Sequence, residues 1–228
     1  PVPLVTALGD VVTDNAAPGA DGTTDIGKFD LLRRSAYLAQ NGDIAFTANL
    51  LVGAGPPVVT NNDFQGIWAK DAANPLRLIA RSGRIAPGTS NALFDILPEV
   101  VAVSDVGDVT FFASLRIGTG SPAVTASNDT GIWSTASVAG ANPAPVLVAR
   151  EGAALRSPSN AVITKFATGC FATSQTNPGV FVFSATEADG KTGVYVMTSI
   201  NGTPSAAVTT AKEGNSAPGA GGEVYDNL

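Results

Sequence analysis

Four aspartates are the first residues in this chain whose type and placement suit chemistry. Asp43 and Asp108 occupy matching points of two related segments, Gly42-Asp43-Ile44-Ala45-Phe46 and Gly107-Asp108-Val109-Thr110-Phe111. Asp63 and Asp129 each stand just ahead of a Gly-Ile-Trp triplet. Two suitably spaced carboxyl groups are enough for glycoside hydrolysis, one as acid and the other as base or nucleophile. Repetition favours a plainer role, because an acid at the same point of successive copies of a pattern serves the turn of that pattern. Most other routes to catalysis are closed. The chain has no histidine, so the usual general base and the commonest metal ligand are both missing. One cysteine, Cys170, without histidine offers neither a zinc nor a haem attachment pattern. No phosphate-cradling glycine motif follows a strand pattern. The expectation is a protein that is not an enzyme, with no catalytic, cofactor-binding or metal-ligating residue and no cofactor.

Binding groups are weighed in the same way. Asp14, Asn15, Asp21, Asp25 and Asp30 gather in a glycine-rich stretch, and hard oxygen ligands suit calcium. Their spacing misses the EF-hand, and an acidic loop is more often simply solvated. Trp68 and Trp133 are candidates for stacking on sugar rings, yet a tryptophan beside glycine at the same point of each copy fits packing between sheets better. Arg81 and Arg150 read as hydrogen-bonding residues of the repeat. Asn128-Asp129-Thr130 and Asn201-Gly202-Thr203 fit the acceptor pattern for N-glycosylation, at a frequency close to chance. Cys170, between Gly169 and Phe171, reads as a small core residue.

Composition narrows the partners. Thirteen Lys and Arg against nineteen Asp and Glu leave a net charge of −6 with no basic cluster. Counterion release from nucleic acid and attraction to anionic lipid are therefore both excluded. Apolar runs fall well short of the roughly 20 residues of a spanning helix. Hydrophobic residues make up 44% and charged ones 14%, enough apolar material for a sizeable core. The first residue is Pro1, not Met, so a leader or upstream segment is expected to have been removed or omitted.

The elements that hold these residues repeat. Gly66-Ile67-Trp68 returns as Gly131-Ile132-Trp133 and as Gly193-Val194-Tyr195, at spacings of 65 and 62 residues. Ala80-Arg81-Ser82-Gly83 returns as Ala149-Arg150-Glu151-Gly152 and Ala211-Lys212-Glu213-Gly214. Period-two alternation in Ile44, Phe46, Ala48 and Leu50, and in Val109, Phe111, Ala113 and Leu115, marks strands. No stretch joins helical spacing to caps at both ends. In the second copy the strands are placed at Ile96–Ser104, Asp108–Ile117, Gly131–Ala136 and Pro145–Arg150. Asn41-Gly42, Asn74-Pro75 and Asn142-Pro143 supply turn chemistry, and Ala86-Pro87-Gly88 ends a unit because proline cannot continue a ladder. The long loops Leu51–Phe64 and Ile117–Thr130 lie on one side.

The expected fold class is all-β, a single array over 1–228 of tandem four-stranded antiparallel blades, β-propeller-like, with about three and a half repeats. Its divisions are a partial terminal unit at 1–23, unit one at 24–88, unit two at 89–152, unit three at 153–214 and the start of a further unit at 215–228. The motifs Gly-x-Val-Ala-Phe, Gly-Ile-Trp and Leu-Val-Ala-Arg-x-Gly-x-x-Ala-Pro-Gly resemble those of an uncharacterised family of propeller-like repeats in secreted bacterial proteins. They are carried here by Gly42, Phe46, Gly66 to Trp68, Ala80, Arg81, Gly83 and Ala86 to Gly88, with their counterparts in the second unit. The third unit departs, with Tyr195 for Trp and Ser157-Pro158-Ser159 for Ala-Pro-Gly. The resemblance implies the fold and export, and no catalytic residue.

The ends of the array direct the functional expectation. Asn15, Ala17, Pro18, Gly19 and Ala20 recur as Asn215, Ala217, Pro218, Gly219 and Ala220, so the chain opens at the end of one unit and stops at the start of another. The apolar residues before Thr13 are expected to pack against a neighbouring subunit. Two explanations stay open: a piece of a longer propeller, or subunits that complete each other head to tail. The first choice is a non-enzymatic, extracellular or cell-surface structural protein that assembles with itself, a filament or surface-structure subunit. The alternatives are a fragment of a larger propeller binding carbohydrate or protein, and then a glycoside-processing enzyme. The partners expected are further copies of the chain and a carbohydrate in the second reading, with no nucleic acid and no membrane insertion.

Overall fold

The computed structural model describes residues 16–17, 27–54, 58–72, 76–97, 101–135, 144–174, 177, 179–200, 203–226 and 228. Among them there are thirteen strands and no helix. The first sheet takes β1 (Ala16–Ala17), β2 (Gly27–Leu38), β3 (Ile44–Leu50), β4 (Gln65–Lys70) and β5 (Arg77–Arg81) in that order. The second takes β6 (Val101–Val103), β7 (Val109–Ser114), β8 (Thr130–Ser134) and β9 (Val146–Arg150). The third takes β10 (Ile163–Thr173), β11 (Val180–Glu187), β12 (Thr192–Ile200) and β13 (Thr203–Lys212). Within each sheet every strand pairs antiparallel with its neighbour in sequence. The all-β expectation stands, with three antiparallel sheets of four to five strands in place of four in each.

Side chains that pair across neighbouring strands share a face, so each sheet can be read as cross-strand rungs. One rung of the first sheet runs Ala36, Phe46, Trp68, Leu78, and its counterpart in the second runs Val101, Phe111, Trp133, Leu147. In the third it runs Phe171, Phe183, Tyr195, Thr209. The opposite face of the first sheet carries Tyr37, Ala45, Ala69 and Arg77. A further aromatic lies edge-on to each tryptophan. Phe29 meets Trp68 at 4.8 Å and 73°, and Phe94 meets Trp133 at 5.0 Å and 71°.

These two faces interlock from sheet to sheet. Ala45, Ile67, Ala69 and Ile79 of the first sheet form one core with Phe111 and Trp133 of the second. Ile132, Val148 and Ala149 of the second form another core with Phe183, Tyr195 and Met197 of the third. Small aliphatic faces thus meet aromatic faces between successive sheets. Strands covered on both sides are buried almost continuously, as β3 and β4 are, whereas burial alternates along β11.

Three short hairpins of one kind are closed by single bridges, Ile85 with Leu93, Ala154 with Val162 and Ser216 with Val224, while Ala16 of β1 pairs with Lys28 of β2. All three carry the same glycine bond, from Gly83 N to Phe94 O, Gly152 N to Ile163 O and Gly214 N to Tyr225 O, each within 2.8–2.9 Å. Ala86-Pro87-Gly88 therefore does more than end a unit. It forms a hairpin tip, where proline's missing N–H is not needed and Gly88 takes a φ of +78°. The first strand of the second sheet also begins earlier and is more broken than expected. Phe94 already bridges Leu115, residues 95–97 fall outside regular strand, and the described strand is Val101–Val103. Both long loops are pinned by a buried valine, Val59 and Val124, whose carbonyls accept from Gly53 N and Gly118 N. Asn74-Pro75 and Asn142-Pro143 lie outside the described residues, as does the segment before Thr13.

Candidate functional site

The hairpin joining β2 to β3 makes its tight turn at Gly42 (φ +93°), and that turn consumes Asp43. Its Oδ2 accepts from Asn41 Nδ2 at 2.7 Å, and its Oδ1 accepts from Ala72 N at 3.1 Å. Asp43 is itself buried. The next sheet's turn lies alongside: Gln40 N donates to Asp105 Oδ1 at 2.8 Å, and Asn41 Nδ2 donates to Asp105 O. Asp108 N donates to Ser104 Oγ at 3.2 Å within that turn. The two acids accordingly belong to successive hairpins.

Each repeat-specific arginine clasps the loop ahead of the aromatic strand. Arg81 Nε donates to Asp63 O at 2.7 Å and its Nη2 to Asp63 Oδ2 at 3.0 Å. Arg150 Nε donates to Asn128 O at 2.9 Å and its Nη2 to Asn128 Oδ1 at 3.2 Å. The same acceptor side chains close a turn, taking Thr60 N at 2.6 Å and Thr125 N at 2.9 Å. Asn128, not Asp129, is thus the counterpart of Asp63. Asp129 corresponds instead to Phe64, since Leu50 N donates to Phe64 O and Leu115 N to Asp129 O. The Asn128 amide, a glycosylation candidate in the sequence, is engaged in this clasp. The other candidate, Asn201-Gly202, lies outside the described residues.

Asp129 does gain a carboxylate neighbour that no motif pointed to. Glu151 is buried, and its Oε2 accepts from Thr130 Oγ1 at 2.7 Å. Burial pushes the Glu151 carboxyl above its ordinary value, and the Asp129 carboxylate adds to that against the Thr130 bond. The position is filled by Ser82 in the first sheet and Glu213 in the third. There Ser82 Oγ accepts from Gln65 N at 3.0 Å and Glu213 Oε2 from Thr192 N at 2.9 Å. Its common duty is to hold the start of the aromatic strand.

The third sheet replaces tryptophan and arginine with a polar set. Tyr195 OH donates to Glu187 Oε1 at 2.5 Å, and Lys212 Nζ bridges Glu187 Oε2 and Asp189 Oδ2 at 2.8 Å each. Burial, then the bond to Glu187, pushes the Tyr195 phenol far up, so it stays protonated. Bonds from both carboxylates hold Lys212 charged. In the second sheet the same place is closed differently, by Trp133 Nε1 donating to Pro87 O at 3.0 Å. Trp68 Nε1 is buried without an acceptor.

Neither tryptophan ring offers a face to a sugar, for both are fully buried. Of the calcium candidates only Asp30, on β2, is described, and Asp14, Asn15, Asp21 and Asp25 lie outside the described residues. Among the described residues no three or more His, Cys, Asp or Glu are placed to hold a metal ion. Cys170 lies in β10. The chain belongs to a family of unknown function (DUF7453), whose model matches residues 8–227. No curated protein matches the chain.

Proposed function

We propose that this DUF7453 protein is a non-enzymatic, extracellular structural protein, a propeller-like array of sheets whose copies join head to tail as subunits of a filament or surface structure. The observation that carries the reading is the use to which its reactive side chains are put. Arg81 and Arg150 clasp loops, Asp43 and Asp63 close turns, Trp133 bonds a hairpin, and Lys212 is held between two carboxylates. Groups bonded in this way serve cohesion between strands and sheets. No comparable observation favours sugar binding or glycoside processing. Sedimentation velocity across a wide concentration range, with negative-stain electron microscopy of the same samples, tests the proposal. Ordered polymers of regular repeat are expected. A protein that stays monomeric throughout would end it.

A further inference from the structure

The turn that joins β2 to β3 carries a residue that the turn itself does not ask for. It is closed by two backbone bonds, Ala39 N to Asp43 O and Gly42 N to Ala39 O, and the second sheet's turn by the same two, Ser104 N to Asp108 O and Gly107 N to Ser104 O. There Val106 stands in the place of Asn41. What Asn41 adds is a link between sheets. Its Nδ2 donates to Asp105 O as well as to Asp43 Oδ2 at 2.7 Å, and its Oδ1 accepts from Asp43 N at 2.9 Å. Asn41 is exposed, so water reaches it. Nothing lies within 4 Å of the place where a side chain on Gly42 would begin. Asparagine followed by an unhindered glycine is the pair in which the next backbone nitrogen meets least obstruction on its way to the side-chain carbonyl carbon.

We propose that Asn41 is a site of spontaneous deamidation through Gly42, delayed by its contacts with Asp43 and the second sheet's turn and destructive of them once it has happened. In the reaction Gly42 N loses its hydrogen to solvent and bonds to Asn41 Cγ. The Cγ–Nδ2 bond breaks, and Nδ2 departs as ammonia after taking up a proton from solvent. Water then opens the cyclic imide at either carbonyl, leaving an aspartyl or isoaspartyl residue with a free carboxyl group. Water is consumed, ammonia is released, and nothing is oxidised or reduced. The closed turn holds this back twice. The Gly42 N–H is engaged by Ala39 O at 3.1 Å, and three hydrogen bonds fix the Asn41 amide. The reaction therefore waits on local opening of the turn. Afterwards the donor to Asp43 and Asp105 is gone. A carboxylate has no hydrogen to give, and it would face the Asp43 carboxylate, itself 3% exposed, as a like charge. The link between the first two sheets then cannot re-form as it was.

Ageing the protein at mildly alkaline pH, folded and in urea, with peptide mass spectrometry at Asn41, tests the first half. The unfolded chain is expected to gain the amide-to-acid mass there at least about tenfold faster than the folded one, since the folded one must open first. Equal rates in the two states, or an unfolded chain that never converts at Asn41, would overturn the proposal. The second half is read from stability. Ion exchange separates the aged, folded protein from its parent through the added charge, and N41D carries the same charge from the start. Both are expected to unfold at a lower urea concentration than the parent at neutral pH. The aged fraction gives this reading even where N41D does not fold. A midpoint equal to the parent's would show that the Asn41 amide holds no link between the sheets.

Discussion

Trp133 folds back over Gly131. A Cβ built on Gly131 would lie 2.8 Å from the ring's Cη2 and 3.0 Å from Ala149 O. Gly66 stands in the same relation to Trp68, at 2.3 Å, and Gly193 to Tyr195 Oη, at 2.6 Å. The glycine of each Gly-Ile-Trp or Gly-Val-Tyr triplet is therefore a space requirement: the aromatic two residues on occupies the volume where its side chain would be. Because residues two apart in a strand share a face, the ring and the missing Cβ necessarily compete.

Gly131→Ala should accordingly destabilise the protein by about 1–3 kcal/mol, the usual cost of overpacking, because a buried ring and a strand carbonyl bound the space. Urea unfolding followed by tryptophan fluorescence measures it. An unchanged midpoint would show that the ring can move aside.

Trp133 itself contributes through packing and through one bond. Trp133→Ala removes a fully buried ring stacked on Phe111 at 6.1 Å and should cost about 3–5 kcal/mol. Trp133→Phe keeps much of the packing, loses the bond to Pro87 O and leaves that carbonyl to find another donor, and should cost less. Comparing the two unfolding midpoints separates the contributions. Equal losses would mean that the hydrogen bond dominates.

Glu151 makes stability depend on pH in a definite direction. Its carboxyl is raised in the folded state by burial first and by Asp129 as well. The folded protein therefore holds this proton more tightly than the unfolded chain. The resulting stability is complete below the ordinary glutamate range and is lost as pH rises through the raised value. Glu151→Gln should thus be more stable than the parent at neutral pH, and the advantage should vanish on acidification. Thermal melts at several pH values decide this, and a Gln variant equally favoured at every pH would contradict it.

In the third sheet, Lys212→Met leaves the partly buried Glu187 carboxylate without its cation. A charge-assisted bond is worth about 1.5–3 kcal/mol, and a loss of that order is expected in chemical denaturation. No measurable change would mean that solvent or the Tyr195 hydroxyl compensates fully.

What was legible in the sequence was the part set by local pattern. Alternating Ile44, Phe46, Ala48 and Leu50 identified β3, and the Arg81 and Arg150 motifs identified hydrogen-bonding residues of the fold. The error over Asp129 has a physical cause. The turn ahead of the aromatic strand asks only for an oxygen acceptor facing a threonine N–H and an arginine, so Asp63 and Asn128 are equivalent although their types differ. Matching by acidity selected the wrong neighbour. Glu151 carries no motif signal because Ser82 stands in its place in the first sheet, and only the folded strands bring it beside Asp129. In sequence the Ala-Pro-Gly hairpins look like terminations, since their second limb pairs through single bridges too short to leave a periodic trace.

Those hairpins also govern how the molecule answers to tension. The chain enters the hairpin between the first two sheets at Gly83 and leaves it at Phe94, two residues joined by a backbone bond. A load along the polypeptide consequently peels the bonds from the open end one after another, Gly83 to Phe94 first and Ala86 to Ala92 later. The same hairpin is also bonded to the second sheet, Arg116 N donating to Leu93 O and Trp133 Nε1 to Pro87 O, so drawing it open would loosen the seat of Trp133 as well.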